Sequence, residues 1–343
     1  MENKETVLVT GGTGFVGIHT ILQLLQKGYK VKTTIRNLNR KDEVFEMLKN
    51  GGITSFDNLT FVAADLTKDD NWDESVKGCD YVLHIASPFP QSEPKDENEL
   101  IIPAKEGTLR VLKAAKNAGV KRVVMTSSFA AIGYSIDPQN HVFTETDWTD
   151  QNAKLAAYIK SKTIAELVAW DFIKNNGGNL ELTVINPVGI FGTVLGKDFS
   201  SSIQLVEQIL TGKMPATPKL NFSVVDVRDV ADIHIKAMTN PEAKGQRFLA
   251  TSNGSTSLPE IAKLLRSQPD KFGNKVTGKV LPDWLVKVLA IFKPELKSVS
   301  LQLGITKVLS NGKAKKILGW QPRKWETTIL DTAESLVKQN IIK

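Results

Sequence analysis

Two hydroxyl groups and one lysine are the first residues in this chain that suggest chemistry. In "KLAAYIKSKTIAELVAW", Tyr158 and Lys162 stand four residues apart and would share one face of a helix. A free phenol titrates near ~10 and exchanges protons poorly at neutral pH. An ammonium beside it favours the phenolate, and lowering the pKa by about 3 corresponds to roughly 4 kcal/mol. Ser127-Ser128 closes the apolar run "RVVMTSS" at 122–128. A serine at the carboxyl end of such a strand reaches the crevice where open α/β sheets bind ligands, and its hydroxyl can hold a reacting oxygen. Tyr-x-x-x-Lys is a frequent chance pattern by itself. It gains weight here from the serines and from a dinucleotide-type turn upstream.

That turn lies in "VLVTGGTGFVGIHTILQLLQKG", which reads as strand, glycine turn and helix closed by Gly28. Gly11, Gly14 and Gly17 meet three needs that exclude a β-carbon: a left-handed turn, close approach of backbone to pyrophosphate, and tight helix–sheet contact. The first-turn N–H groups of the helix would face the phosphates. Such units usually place a carboxylate about twenty residues on, to bind a free ribose hydroxyl. Here Arg36 stands nineteen residues past Gly17, with Arg40 and Lys41 close behind. A 2′-phosphate carries about −1.5 to −2 charges and three acceptor oxygens, which guanidinium forks suit. The expected cofactor is therefore NADP(H) over NAD. Asp65-Leu66 ends the third strand, where the carboxylate can accept from the adenine amino group or, alternatively, cap a helix. Ala86-Ser87-Pro88 ends the fourth, where small residues let a dinucleotide pass.

The elements that must position these groups are legible as short β-branched runs alternating with amphipathic stretches. Strands are predicted at 6–10, 29–35, 59–65, 81–86, 122–128 and 180–186, and helices at 15–26, 40–50, 97–118 and 151–175. Nearly all-apolar strands alternating with helices mean a parallel sheet covered on both faces. The fold class is α/β, a doubly wound Rossmann sheet with a smaller C-terminal substrate domain. After Pro187 the alternation breaks down, apart from one strand–helix unit in "FSVVDVRDVADIHIKAM" (222–238). The expected division is 1–186 and 222–240 for the NADP-binding domain, and 187–221 and 241–343 for the substrate domain.

Bulk properties bound the function class. The chain has 343 residues, 41% apolar and 24% charged, with a single cysteine, Cys79. That excludes an internal disulfide and fits a reducing compartment; a packed, inert thiol is expected. "MENKETVLVT" does not read as a signal peptide, and no apolar run approaches the ~18 residues of a membrane helix. The expectation is a soluble cytoplasmic protein with no membrane partner. The net charge of +7 is concentrated in residues 271–343, which hold 14 Lys and Arg against 5 Asp and Glu. Because apolar residues interleave them at helical spacing, a solvated helix face is expected there and no nucleic-acid partner. His19, His84, His141 and His234 show no metal-ligand spacing, and no metal is expected.

Taken together, "TGGTGFVG", "DL", "HIASPF", "VVMTSSFAAI", "YIKSK", "NPVGIFG", "DVRDVA" and "KAKKILGWQPRKWETTILDTAESL" resemble the extended branch of the short-chain dehydrogenase/reductases. The likeness runs nearly end to end. It is greatest to dihydroflavonol-reductase-like enzymes, especially microbial NADPH-dependent aldehyde and ketone (methylglyoxal-type) reductases. The resemblance implies that Ser128, Tyr158 and Lys162 form a catalytic triad, with NADPH giving hydride to a carbonyl carbon while Tyr158 gives a proton to its oxygen. It also implies cofactor contacts at Thr13, Phe15, Val16, Thr126, Pro187, Val188 and Ile190.

Departures from the family pattern narrow the reading. "AAYIKSK" lacks the longer aromatic signature of the plant enzymes, and Thr193 stands where the branch commonly has proline. Nucleotide-sugar dehydratases on this scaffold place an Asp-Glu pair where Phe129-Ala130 follows Ser128. An epimerase or dehydratase, and a non-catalytic NADP-sensing regulator, are the alternatives to an NADPH-dependent carbonyl reductase. Phe89, Phe129, Ile132, Tyr134, Ile190 and Phe191 are expected to rim the pocket, which favours a small apolar or aromatic carbonyl substrate. Both monomers and homodimers occur on this scaffold.

Overall fold

Side-chain alternation along the first strand, β1 (Thr6–Thr10), sets the architecture. Val7 and Val9 enter one hydrophobic core and Leu8 the opposite one, all three fully buried. A strand buried on both faces requires cover above and below. The computed structural model describes residues 5–88, 94–197, 199–252, 254–272, 275–292, 299–300 and 302–342.

From β1 the chain runs through α1 (Phe15–Gln26), β2 (Lys30–Ile35), α2 (Lys41–Asn50), β3 (Leu59–Ala63), α3 (Trp72–Val76) and β4 (Tyr81–His84). Next come α4 (Asn98–Asn117), β5 (Arg122–Thr126), α5 (Ala130–Gly133), β6 (Val142–Phe143), α6 (Ala157–Asn176), β7 (Glu181–Pro187) and β8 (Gly189–Phe191). The remainder supplies α7 (Ser201–Leu210), β9 (Asn221–Phe222), β10 (Val224–Asp226), α8 (Val227–Thr239), β11 (Arg247–Ala250), β12 (Thr256–Ser257), α9 (Leu258–Arg266) and, further on, β13 (Val308–Leu309).

Seven strands form one parallel sheet in the order β3-β2-β1-β4-β5-β7-β11. Helices α1, α2 and α8 contribute to the core on one face, and α3, α4 and α6 to that on the other. This is the doubly wound α/β sheet read from the sequence. Its strand order reverses between β1 and β4, which opens a crevice at their carboxyl ends. A separate core joins α7, α9 and the helix Trp325–Lys338 through Ile203, Val206, Ile261, Leu265, Ile329 and Leu336.

Two expectations change. The helix predicted from 151 begins at Ala157, because Asp150 takes the Asn152 N–H in an Asx turn and delays helical geometry. The chain also returns to the large sheet through Arg247–Ala250 rather than through residues 222–226. Val224–Asp226 pairs instead with β8, and only the helix after it, α8, packs on the large sheet.

Candidate active site

Each functional side chain sits where a strand ends or a helix begins. At the end of β1 the chain turns through Gly11, whose φ of +78° favours glycine, and Gly11 N–H donates to Thr34 Oγ1 at 3.1 Å. A β-carbon on Gly17 would lie 2.2 Å from the Gly11 carbonyl oxygen, and one on Gly12 would lie 2.4 Å from Thr33 Oγ1. These two glycines are dictated by packing. Gly14 differs: its only neighbour would be Gly11 O at 3.4 Å, and it faces an open cleft. Gly14 caps α1 without a side-chain hydrogen bond, and the first turn of α1 carries no acid. The amino end of α1 thus presents backbone N–H groups and positive dipole to the cleft.

This cleft, about 1530 Å³ in volume, gathers nearly every residue singled out by the sequence. Gly11, Thr13, Gly14, Phe15, Val16 and Gly17 line it along the glycine turn. Arg36, Asp65 and Leu66 line it beyond β2 and β3, and Ala86, Ser87 and Pro88 beyond β4. Thr126, Ser128, Tyr158, Lys162, Pro187, Val188 and Ile190 complete the set. Arg40 is the exception. It turns away to pair with Glu43 at 2.6 Å, three residues along, and is not among the lining residues.

Asp65 Oδ1 accepts from both the N–H and the hydroxyl of Thr67, so its local role is to close a turn. The Thr67 backbone bond leads in holding its carboxyl below the usual range, and nearby Arg36 adds to the effect. Of the expected rim, Phe129, Tyr134 and Ile190 line the cleft, whereas Ile132 and Phe191 are fully buried in hydrophobic cores. Phe89 lies outside the described residues.

At the end of β5, three consecutive hydroxyls have three different fates. Thr126 donates to His234 Nε2 at 2.7 Å, since His234 Nδ1–H is committed to the Val230 carbonyl. Ser127 donates to Glu166 Oε2 at 2.6 Å. Ser128 Oγ accepts from Ala130 N–H at 3.1 Å and hydrogen-bonds the Tyr158 side chain. Tyr158 is the second residue of α6, with Lys162 one turn on and Glu166 one turn beyond that.

The electrostatics revise one expectation. The sequence predicts that the ammonium pulls the phenol pKa down. In the folded chain burial pushes Tyr158 up, with Ser128 opposing and Tyr134 adding to the rise. Burial also draws Lys162 down to about 8, against the attraction of Glu166. The resting site at neutral pH therefore holds a protonated phenol and a charged lysine. His84, buried and bonded through Nδ1 to the Thr10 hydroxyl, is lowered to about 3 and stays neutral.

The sequence did not single out the scaffold behind these groups. Glu166 accepts from Ser127, from Asn186 Nδ2 at 2.7 Å and from Arg247 Nε at 2.6 Å, tying α6 to β5, β7 and β11. Asn186 Nδ2 also donates to the Ser128 carbonyl at 3.1 Å. An acid four residues past the lysine on a buried helix face was the available signal for Glu166; Arg247 offered none. Lys307 was missed as well, and it lines the cleft against Phe129 and Tyr134. Burial raises the Cys79 thiol to about 11, as suits the inert packing role expected of it. Among the described residues no three His, Cys, Asp or Glu group as a metal site, and no helix is long and apolar enough to cross a membrane.

The family model described as the NAD dependent epimerase/dehydratase family matches residues 7–250, well over half of the chain. The chain belongs to the extended short-chain dehydrogenase/reductases. A ketoreductase of Aspergillus niger is 32% identical over 356 residues, covering 98% of each chain. An anthocyanidin reductase of Vitis vinifera is 35% identical over 293 residues, covering 79% of this chain and 85% of its own. Among solved structures, yeast methylglyoxal/isovaleraldehyde reductase Gre2, complexed with NADPH, has a TM-score of 0.79 at 27% identity, covering 98% of this chain and 100% of that one. Gre2 of Candida albicans, also with NADPH, has a TM-score of 0.78 at 30% identity, covering 98% and 99%. By family and relatives the chain is an oxidoreductase.

Proposed function

We propose that this protein is an NADPH-dependent reductase of aldehydes or ketones. The observation that carries the reading is the Ser128–Tyr158 hydroxyl pair opening on the same cleft as the glycine turn and Arg36. The bare β-carbon position of Gly14 and the uncapped amino end of α1 suit a pyrophosphate. Arg36, which forms no salt bridge among the described residues, suits a 2′-phosphate. Solved relatives carrying NADPH support the same cofactor. When bound, NADPH supplies the hydride.

The chain supplies the rest. Tyr158, held protonated, gives its proton to the carbonyl oxygen as negative charge develops there. Ser128 Oγ orients that oxygen by a second hydrogen bond. The Lys162 ammonium then stabilises the phenolate left behind. Glu166, anchored by Arg247 and Asn186, keeps the turn bearing Lys162 in register.

Phe129, Tyr134, Ile136, Leu155, Ile305 and Leu309 give the cleft apolar walls, which suits a carbonyl compound with a small apolar or aromatic body. Segments 187–221 and 241–343 supply the substrate side, less the sheet strand Arg247–Ala250 and the stretch 312–320, whose Ala314, Leu318 and Trp320 join the core under α1, α2 and α8. An epimerase or dehydratase reading is disfavoured, because Phe129-Ala130 replaces an acid pair and Asp65 is the one carboxylate among the described lining residues. The test is NADPH oxidation over aldehydes, diketones, ketoesters and flavanonols, with Tyr158→Phe as control. That variant should lose at least a hundredfold in kcat with NADPH affinity nearly unchanged. Substantial residual turnover would remove the phenol from its role.

A further inference from the structure

We infer that Lys307 forms an anion subsite in the cleft and selects carbonyl substrates that also carry a carboxylate; the inference rests on the reductase reading above. Lys307 comes from the far end of the chain, and its place is fixed by pairing. Directly after it, β13 lies parallel to β6, with Val308 against Val142 and Leu309 against Phe143. The Ser310 N–H donates to the Phe143 carbonyl at 3.0 Å. Lys307 and Leu309, two residues apart, both face the cleft, while Val308 between them is exposed.

The ammonium lies 3.9 Å from the Tyr134 ring centroid and 5.5 Å from that of Phe129. These two aromatic residues flank the short helix that follows Ser128, and Tyr134 is close enough to Tyr158 to influence its ionisation. Lys307 therefore lines the same cleft as the proposed proton donor, and Tyr134 is the residue that links the two.

Its charge is compensated only in part among the described residues. Among the described residues no carboxylate forms a salt bridge with Lys307, although the side chain is half-buried. Aromatic faces offset only part of the cost of desolvating an ammonium, about 0.5–2 kcal/mol. Asp65 is the one lining carboxylate among the described residues and lies beside Arg36, and Lys154 adds a further positive charge to the lining. Burial lowers Lys307 to about 8, which leaves it charged at neutral pH. A half-buried cation held on aromatic rings in the same cleft as the hydroxyl pair, with no acid paired to it among the described residues, is completed by an anionic ligand.

The test uses isomers that differ only in the distance between the two groups: 2-oxo-, 4-oxo- and 5-oxohexanoate, each against its methyl ester. Wild-type kcat/KM should favour the acid over the ester by at least about tenfold for one or more pairs, with the difference mainly in KM. Lys307→Met should bring every ratio close to one while ester turnover stays within about threefold, and Lys307→Arg should keep the preference. Thermal unfolding of both variants checks that the wall is intact. Equilibrium binding of the same six compounds, with and without NADP⁺, separates the two claims. Acid-over-ester binding that depends on Lys307, without turnover of any compound, would keep the subsite and sink the reductase reading. Turnover with no acid preference in the wild type, or a preference that survives Lys307→Met, would overturn the subsite alone.

Discussion

Glu166 and Arg247 form a buried ion pair at 2.6 Å, their side chains 0% and 8% exposed, one helical turn past Lys162. The Arg247 guanidinium also lies 3.6 Å from the Trp148 ring centroid and donates to the carbonyls of Glu145 and Asp147. Removing the carboxylate strands a buried cation. Glu166→Ala should destabilise the fold by about 3–5 kcal/mol in urea unfolding, and adding Arg247→Met should recover a large part of that loss. Independent, additive effects would show that the two residues are not coupled.

Gly14 and Gly17 should respond oppositely to one added methyl group. Gly17→Ala drives a β-carbon into the Gly11 carbonyl and should lower the melting temperature sharply. Gly14→Ala meets only a 3.4 Å contact, so it should fold normally yet lose at least about tenfold in NADPH affinity by filling the phosphate cradle. Calorimetric unfolding and cofactor titration of both proteins check the contrast.

Charge reversal at Arg36 tests the far end of the cleft. Arg36→Asp should weaken NADPH binding by roughly ten- to a hundredfold and leave NADH nearly unaffected, since charge-assisted bonds are worth about 1.5–3 kcal/mol. Arg40→Ala should change neither affinity by more than about threefold, because its guanidinium is committed to Glu43. Dissociation constants for both nucleotides decide the matter.

The pH profile should report Lys162. Its ammonium is present below about 8 and lost above, so kcat/KM for a neutral ketone should hold through neutrality and fall as pH rises past about 8. Lys307 ionises in the same range, so the measurement belongs in the Lys307→Met background, where the alkaline limb should persist. Its disappearance there would assign the limb to Lys307 instead.

How much of this was written in local sequence depends on the reach of each interaction. The sheet was legible because every strand but the last carries an apolar run between turn residues, and the glycine turn because its constraints act within seven residues. Arg247 binds Glu166 from 81 residues away, and Lys307 reaches Tyr134 through a pairing of β13 with β6; no local pattern encodes either. Ile132 and Phe191 were expected at the rim and lie in the core because lining and core draw on the same apolar residues. Arg40 was expected at the cofactor and is paired with Glu43, three residues away at helical spacing. The ionisation of Tyr158 turned on burial, which charge spacing alone does not disclose.

The late arrival of Arg247 has a consequence for biosynthesis. A nascent chain that has emerged only as far as residue 240 already contains six of the seven sheet strands, the glycine turn, Ser128, Tyr158 and Lys162. It lacks the Arg247 guanidinium, so Glu166 on α6 would have Ser127, Asn186 and Lys162 but not its buried ion-pair partner. A chain truncated shortly before the seventh strand should therefore carry the proposed catalytic residues on a weakened scaffold, which urea unfolding of that fragment checks.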